Sequence, residues 1–186
     1  MYKLAELEEI VRIPPAELGG SLDDATKRIL KEECEGKLYK NVGMVVQIRD
    51  VKRMGDGEIV PGDGSVYQRA LFEALVFNPE NQEVVEGKVS EVAEFGAFLN
   101  FGPLDGLIHV SQIIDDFIDV DLNNRRLVGR DSKKVLRASD RCRARIVSLS
   151  LNEANPRQSR IGLTMRQPGL GVLEWLKREK EGENNG

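Results

Sequence analysis

The sequence predicts two small domains, an α+β domain followed by an all-β barrel, with a short helix closing the chain. Three observations carry this. A chain of 186 residues accommodates one large domain or two small ones. The polar segment Asn78-Pro79-Glu80-Asn81 separates two stretches of different rhythm. Before it, long strand-like runs flank one run of helical period. After it, short apolar segments at 84–93, 97–101, 106–110, 142–151 and 160–166 alternate with loops, as in a small antiparallel barrel. The expected bounds are 1–80, 81–167 and 168–186.

Residues 2–13 read as a strand ended by Pro14-Pro15, because prolines remove ladder donors and can open a helical turn. Gly19-Gly20 breaks the chain. Ser21 is placed to cap the helix that follows, with Asp23 and Asp24 in its first turn, where the helix dipole favours acids. Leu22, Ala25, Ile29, Leu30 and Cys34 then fall on one apolar face, and Gly36 ends the helix. Cys34 on that face reads as a core residue rather than a reactive thiol. Residues 42–54 form a second strand, with Val42, Met44, Val46 and Ile48 on one face and Gln47 and Arg49 on the other. Residues 66–77 form a third. Between them, Gly55-Asp56-Gly57 and Pro61-Gly62-Asp63-Gly64 read as the elaborate tip of a long hairpin. Turn chemistry alone would explain the glycines; a contact element would explain the length, since hairpin loops need only about 2–5 residues.

In the second domain the stretch 112–135 reads as a long connection. It is acidic first (Asp115, Asp116, Asp119, Asp121) and then basic (Arg125, Arg126, Arg130, Lys133, Lys134). After Pro168-Gly169 a helix is expected with Leu170, Leu173 and Leu176 on one side, and residues 177–186 are polar and expected to fray.

Composition narrows the function. Hydrophobic residues make up 40% of the chain, enough for packed cores. No apolar run approaches the ~18–20 residues that span a bilayer, and the N-terminus lacks the pattern of a signal peptide. A cytoplasmic protein with no membrane partner is expected. Cys34 and Cys142 lack CxxC spacing and His109 is the one histidine, so a cysteine zinc site and a two-histidine metal site are both excluded. Neither a GxxxxGK[ST] loop nor a GxGxxG fingerprint occurs. No cofactor, metal or catalytic residue is expected.

The net charge of -4 conceals an asymmetry: residues 83–121 hold nine acidic side chains and one basic, whereas residues 125–166 hold 12 basic and three acidic. Either the basic stretch faces a polyanion, above all nucleic acid, or its arginines pair with the acids within one domain. In GKVSEVAEFGAFLNF, Phe95 and Phe98 would face opposite sides of a straight strand, and Gly96 permits a bend that brings both rings to one surface. Single-stranded nucleic acid is bound by rings that stack on bases, flanked by cations that follow phosphates. Phe95, Phe98 and His109 offer rings; Arg143, Arg145 and Arg160 offer charge. Phe101 reads as core.

GKVSEVAEFGAF, GLIHVS and RIGLTMR, in that order over about residues 82–166, resemble the S-one RNA-binding domain, an OB-fold barrel. The resemblance implies an RNA face made by Phe95, Phe98, His109 and Arg160. Ser150 stands where that family carries an aspartate, and the loop from Asn152 to Ser159 is longer than usual, so sequence-tolerant binding of single-stranded RNA is expected.

The whole chain resembles a narrower family. MYKLAELEEIVRIPP, GDGSVYQRALFEALVFNP, FGPLDGLIHVSQIIDD and LTMRQPGLGVLEW are similar to the E-prime polypeptide of archaeal RNA polymerase, the counterpart of the seventh-largest component of RNA polymerase II. The resemblance implies a truncated RNP-like first domain and a non-catalytic stalk role. Its implied partners are the polymerase core and the small helical stalk polypeptide known as F. It also implies that Gly55, Asp56, Gly57, Gly62, Asp63 and Gly64 belong to a core-docking tip, and that the barrel catches emerging transcript. Two alternatives are weighed against it. One is a free-standing S-one protein such as a translation or exosome factor; the KH-type GXXG loop of the exosome cap is missing. The other is a nuclease whose four aspartates hold magnesium; no nucleophile or base is arranged beside them.

Overall fold

The computed structural model describes residues 1–183. It divides into two compact units, Met1–Pro79 and a second from Glu80 onward. In the first, β1 (Tyr2–Ile13), α1 (Leu22–Cys34), β2 (Leu38–Tyr39), β3 (Gly43–Ile59) and β4 (Val66–Phe77) follow in order. The strands form an antiparallel sheet in the order β1-β4-β3-β2. Ser21 Oγ accepts the Asp24 N–H at 3.4 Å and caps α1. Gly36, with φ +82, turns the chain out of the helix in a backbone region that side chains disfavour. Ala25, Ile29, Leu30 and Cys34 are buried in one core with Val11, Ile13, Val45 and Phe72 of the sheet. Burial raises the pKa of the Cys34 thiol, which keeps it protonated.

Strand β3 departs from the expected pattern twice. A bulge between Val45 and Gln47 shifts the alternation, so Val45 and Ile48 point into the core and Val46 is exposed. The strand also runs past residue 54 to Ile59, so Gly55-Asp56-Gly57 is not part of the loop. It is the last of three register irregularities in β3, after those at Val45–Gln47 and Arg49–Lys52: four steps from Met54 to Glu58 lie opposite two from Arg69 to Tyr67. Buried Gln68 fills it, its amide nitrogen lying 3.2 Å from the Met54 carbonyl, 3.3 Å from that of Gly55 and 3.0 Å from that of Arg69. The turn itself is confined to 60–65.

The second unit contains β5 (Val84–Ala93), β6 (Gly96–Asn100), β7 (Asp105–His109), β8 (Ile118–Asp121), β9 (Arg126–Gly129), β10 (Val135–Arg137), β11 (Arg141–Ser150), β12 (Arg160–Thr164), β13 (Gly171–Val172) and α2 (Leu173–Glu183). The main sheet runs β12-β7-β6-β5-β11-β13, and β12 also pairs with β11. That second pairing closes five strands into a barrel. Alternate residues such as Val89, Leu99, Ile108, Ile146 and Leu163 fill its interior. The S-one-type OB barrel is the fold expected.

The stretch 112–135 is more than a connection. It folds into a three-stranded antiparallel sheet, β8–β10, anchored by buried Leu127 and Leu136. After Pro168 the chain first rejoins the barrel, Val172 pairing with Cys142, and the helix begins at Leu173, leaving Leu170 outside it. Helix α2 runs past 177 to Glu183; residues 184–186 of the expected polar end lie outside the described residues.

Candidate nucleic-acid interface

Strands β6 and β7 build an outward-facing surface by simple alternation. Ala97, Leu99 and Ile108 point inward, so Phe98, Leu107 and His109 point out. Phe98 lies opposite Leu107, and Gly96 opposite His109. A Cβ at Gly96 would run into the Ile108 carbonyl, so only glycine lets the two strands meet there. Phe95, in the β5–β6 turn, turns back onto the same surface: its ring centroid is 6.0 Å from that of Phe98 at 89°, an edge-to-face pair. Phe95 is 49% exposed. The Phe95 carbonyl accepts the Val110 N–H at 3.0 Å, which ties the turn to the residue after His109. His109 Nδ1 lies 2.9 Å from Ser111 Oγ and accepts the Ser111 N–H at 3.3 Å, leaving the far edge of the ring toward solvent. Phe101 is buried.

The cations singled out in the sequence are not equivalent. Arg160 is exposed at the start of β12, opposite Ser150. It lies on the barrel side that β7 and β12 share, toward the other end of these strands from His109, since Gly162 pairs with Leu107. Arg145 is half-buried between Val84 and Thr164, and its Nε is buried with no hydrogen-bond partner among the described residues. Arg143 is not brought to the rings. It lies opposite Glu86 and donates to that carboxylate from Nε at 2.8 Å, whereas the β5 neighbour of Phe98 is Glu91. One basic residue that sequence reasoning left out, Arg166, reaches the Ser111 carbonyl at 3.3 Å and pairs with Asp115. Its place at the end of RIGLTMR, beside the histidine motif in the fold, was the available signal.

The pairing reading of the charge map holds in part. Arg126 pairs with Asp121, Arg130 with Asp119, Arg143 with Glu86 and Arg166 with Asp115. The same contacts occupy three of the four aspartates weighed as a magnesium site, Asp115, Asp119 and Asp121. Asp116 accepts the backbone N–H groups of Asp131 and Ser132, and these bonds hold its carboxyl below the usual range. Arg130 does the same to Asp119, and Asn124 with Arg126 to Asp121. Cys142 is buried, which pushes its thiol up to about 12.

At the far end of the first unit, the residues expected to dock behave differently from one another. Gly55, Asp56 and Gly57 lie within β3, and a Cβ at Gly57 would run into Val66. Gly62 and Gly64 shape the turn. Asp63 accepts from Arg12 Nη2 at 2.6 Å and from Tyr67 Oη at 2.7 Å, and the Arg12 bond is the main reason its pKa falls to about 2. This end also shows apolar side chains to solvent, Ile59 66% exposed and Val60 46%, beside exposed Asp56 and Glu58.

Residues 8–64 match the SHS2 domain found in the N terminus of Rpb7p/Rpc25p/MJ0397, and residues 78–160 match the S1 RNA binding domain. Over 179 residues the chain is 44% identical to DNA-directed RNA polymerase subunit Rpo7 of Sulfolobus acidocaldarius, covering 96% of this chain and 97% of that one. The chain belongs to the Rpo7 family of DNA-directed RNA polymerase subunits. Rpo7 of Saccharolobus solfataricus is 42% identical over 181 residues, covering 97% of this chain and all of that one. Subunit RPC8 of RNA polymerase III from Saccharomyces cerevisiae is 33% identical over 96 residues, 52% of this chain and 45% of that one. The likeness to the Rpo7 chains therefore reaches well beyond the S1 domain, and membership in a polymerase displaces the free-standing translation or exosome reading. The aromatic surface of β6–β7 lies within the S1 match. Among the described residues, no helix is long and apolar enough to cross a membrane.

Proposed function

We propose that this Rpo7-family protein is a stalk component that carries no catalytic site of its own, works in the cytoplasm, and tethers single-stranded transcript near its exit from the polymerase. The observation that carries the RNA reading is the Phe95–Phe98 pair displayed beside His109 on one exposed barrel surface. Two rings and an imidazole supply stacking faces for successive bases at about 1–3 kcal/mol each. Arg160, and Arg145 where it emerges from the β11–β12 ladder, supply the phosphate contacts. Arg143 contributes only by giving up Glu86. Stacking accepts any base, in keeping with Ser150 at the position where a base-reading carboxylate would sit.

On this reading the first unit docks on the polymerase core, with the small helical F polypeptide as the second partner. The docking end is the turn at 60–65 together with Ile59 and Val60, while Gly55, Asp56, Gly57, Gly62, Asp63 and Gly64 shape and brace it. The test is recovery of the tagged chain from its own cells, with co-purifying chains identified by mass spectrometry. The large polymerase subunits and a small helical partner are expected. Ile59→Asp with Val60→Asp should lower recovery of the core subunits while RNA affinity stays unchanged; undiminished recovery would remove this end from the docking surface.

A further inference from the structure

The three arginines between β8 and β10 fall into two groups. Arg126 and Arg130 are bound to Asp121 and Asp119, the adjacent acids of β8. Arg125, in the turn between β8 and β9, is exposed, and among the described residues no carboxylate holds it within ion-pair distance. Its backbone is in the left-handed region, φ +49, which costs a side-chain-bearing residue of order 1 kcal/mol or more unless the surroundings hold it there. They do: its N–H donates to the Leu122 carbonyl at 3.2 Å, and its own carbonyl accepts the Ala138 N–H at 3.2 Å. Those bonds anchor the turn to the segment after β10, and that segment is joined to β5 where the Ser139 N–H reaches the Val89 carbonyl at 2.8 Å.

The anchoring brings Arg125 beside the aromatic surface. A cleft of about 360 Å³ is lined by Ser90, Glu91, Val92, Leu122 and Arg125. Glu91 is the residue directly opposite Phe98 in the β5–β6 ladder, and Ser90 occupies the bulge next to it, its hydroxyl donating to the Phe98 carbonyl at 3.3 Å. One wall of the cleft is therefore the strand edge that flanks Phe98. The other is an exposed leucine, 44% accessible, with an unpaired guanidinium.

We infer that the β8–β9 turn is a second wall of the RNA path: Arg125 binds a phosphate of the strand whose bases stack on Phe95 and Phe98, and Leu122 covers the adjoining ribose or base. The cleft sits beside the stacking rings, its unpaired cation suits a polyanion, and the paired state of Arg126 and Arg130 leaves Arg125 as the charge this turn offers. The inference rests on the stacking reading above.

The full chain is titrated with a fluorescent oligouridylate of about ten nucleotides across a salt series, for wild type, Phe98→Ala, Arg125→Glu, Arg125→Ala and Leu122→Ser. Arg125→Glu should lower affinity about tenfold and flatten the log–log salt slope by ~0.7, the contribution of one single-strand phosphate. Arg125→Ala should flatten it equally with a smaller loss, and Leu122→Ser should lower affinity without changing the slope. Unchanged melting temperatures would show that the turn still folds. If Phe98→Ala weakens binding and both Arg125 variants match wild type, the second wall is overturned while the stacking surface stands. If wild type binds no RNA, both fall. Arg125→Glu that spares RNA affinity but loses co-purifying chains would overturn the inference and assign the cleft to a protein.

Discussion

The β5–β6 turn and the far end of the β3–β4 hairpin both carry glycine beside polar residues, yet they put it to opposite use. At Gly96 the missing side chain lets β6 and β7 approach, and the space gained outside is given to Phe95 and Phe98, whose rings meet edge to face. At Gly55–Gly57 the extra residues bulge, and buried Gln68 consumes the exposed carbonyls from beneath. Asp63, beyond them, is bound by Arg12 and Tyr67. Glycine marks a backbone irregularity in both places. On the proposed reading, what suits the Phe95–Phe98 end to stacking on RNA is rings left open to solvent, where the Gly55–Gly57 bulge has its polar groups bound inside the fold.

The largest expected effect tests the displaying end. Phe95→Ala with Phe98→Ala removes both stacking faces without touching the core, since neither ring fills the barrel. At about 1–3 kcal/mol per stacked base, RNA affinity should fall roughly tenfold or more, with the thermal melt unmoved. A double variant that binds as wild type would make the pair a surface ornament and reduce the comparison to backbone geometry. Phe101→Ala should do the reverse, destabilising the barrel, because that ring is buried.

This contrast also shows which parts of the molecule a sequence displays. Helix α1, its Ser21 cap and the β1 and β4 strands were legible because apolar period and stop signals coincide there. The aromatic surface was legible because a short motif carries both the rings and the glycine that bends them together. The insertion was not. In β8–β10 the period-2 signal is carried by few apolar residues, such as Leu127 and Leu136, among side chains that pair across strands, so charge masks alternation. The β3 bulges were hidden for another reason. A bulge changes register by one or two residues, and the residue that stabilises it, Gln68, is on the partner strand, far away in sequence. Pairing has the same property: nothing near Arg143 in the chain announces Glu86, 57 residues earlier.

The bracing end should be broken next by Gln68→Ala. The substitution withdraws the amide from the carbonyls of Met54, Gly55 and Arg69 and leaves a void beneath the bulge. A loss of about 1–3 kcal/mol from the first unit is expected, read by denaturant titration. Hydrogen exchange should localise it to the backbone amides of 54–58, with RNA affinity unaffected. A loss below the resolution of the titration would mean that the bulge holds its shape through backbone pairing alone.

The smallest effect concerns Asp63. Its carboxyl, about 3.9 in an unfolded chain, is lowered to about 2 by Arg12, with Tyr67 assisting. A depressed folded pKa means that the folded state favours the charged form. The stabilisation is therefore complete above about pH 4, and it is lost as pH falls through 4 toward 2. Both partners are solvent-accessible, so screening keeps the contribution small, and it should shrink further as salt rises. Asp63→Asn abolishes the titration while keeping the shape and a hydrogen-bond acceptor. The variant should melt below wild type at pH 7, and the gap should close as the pH approaches 2. Two curves that stay parallel over that range would show that Arg12 and Asp63 are held together by the turn, not the turn by them. The far end of β3–β4 would then owe its shape to Gln68 and the glycines.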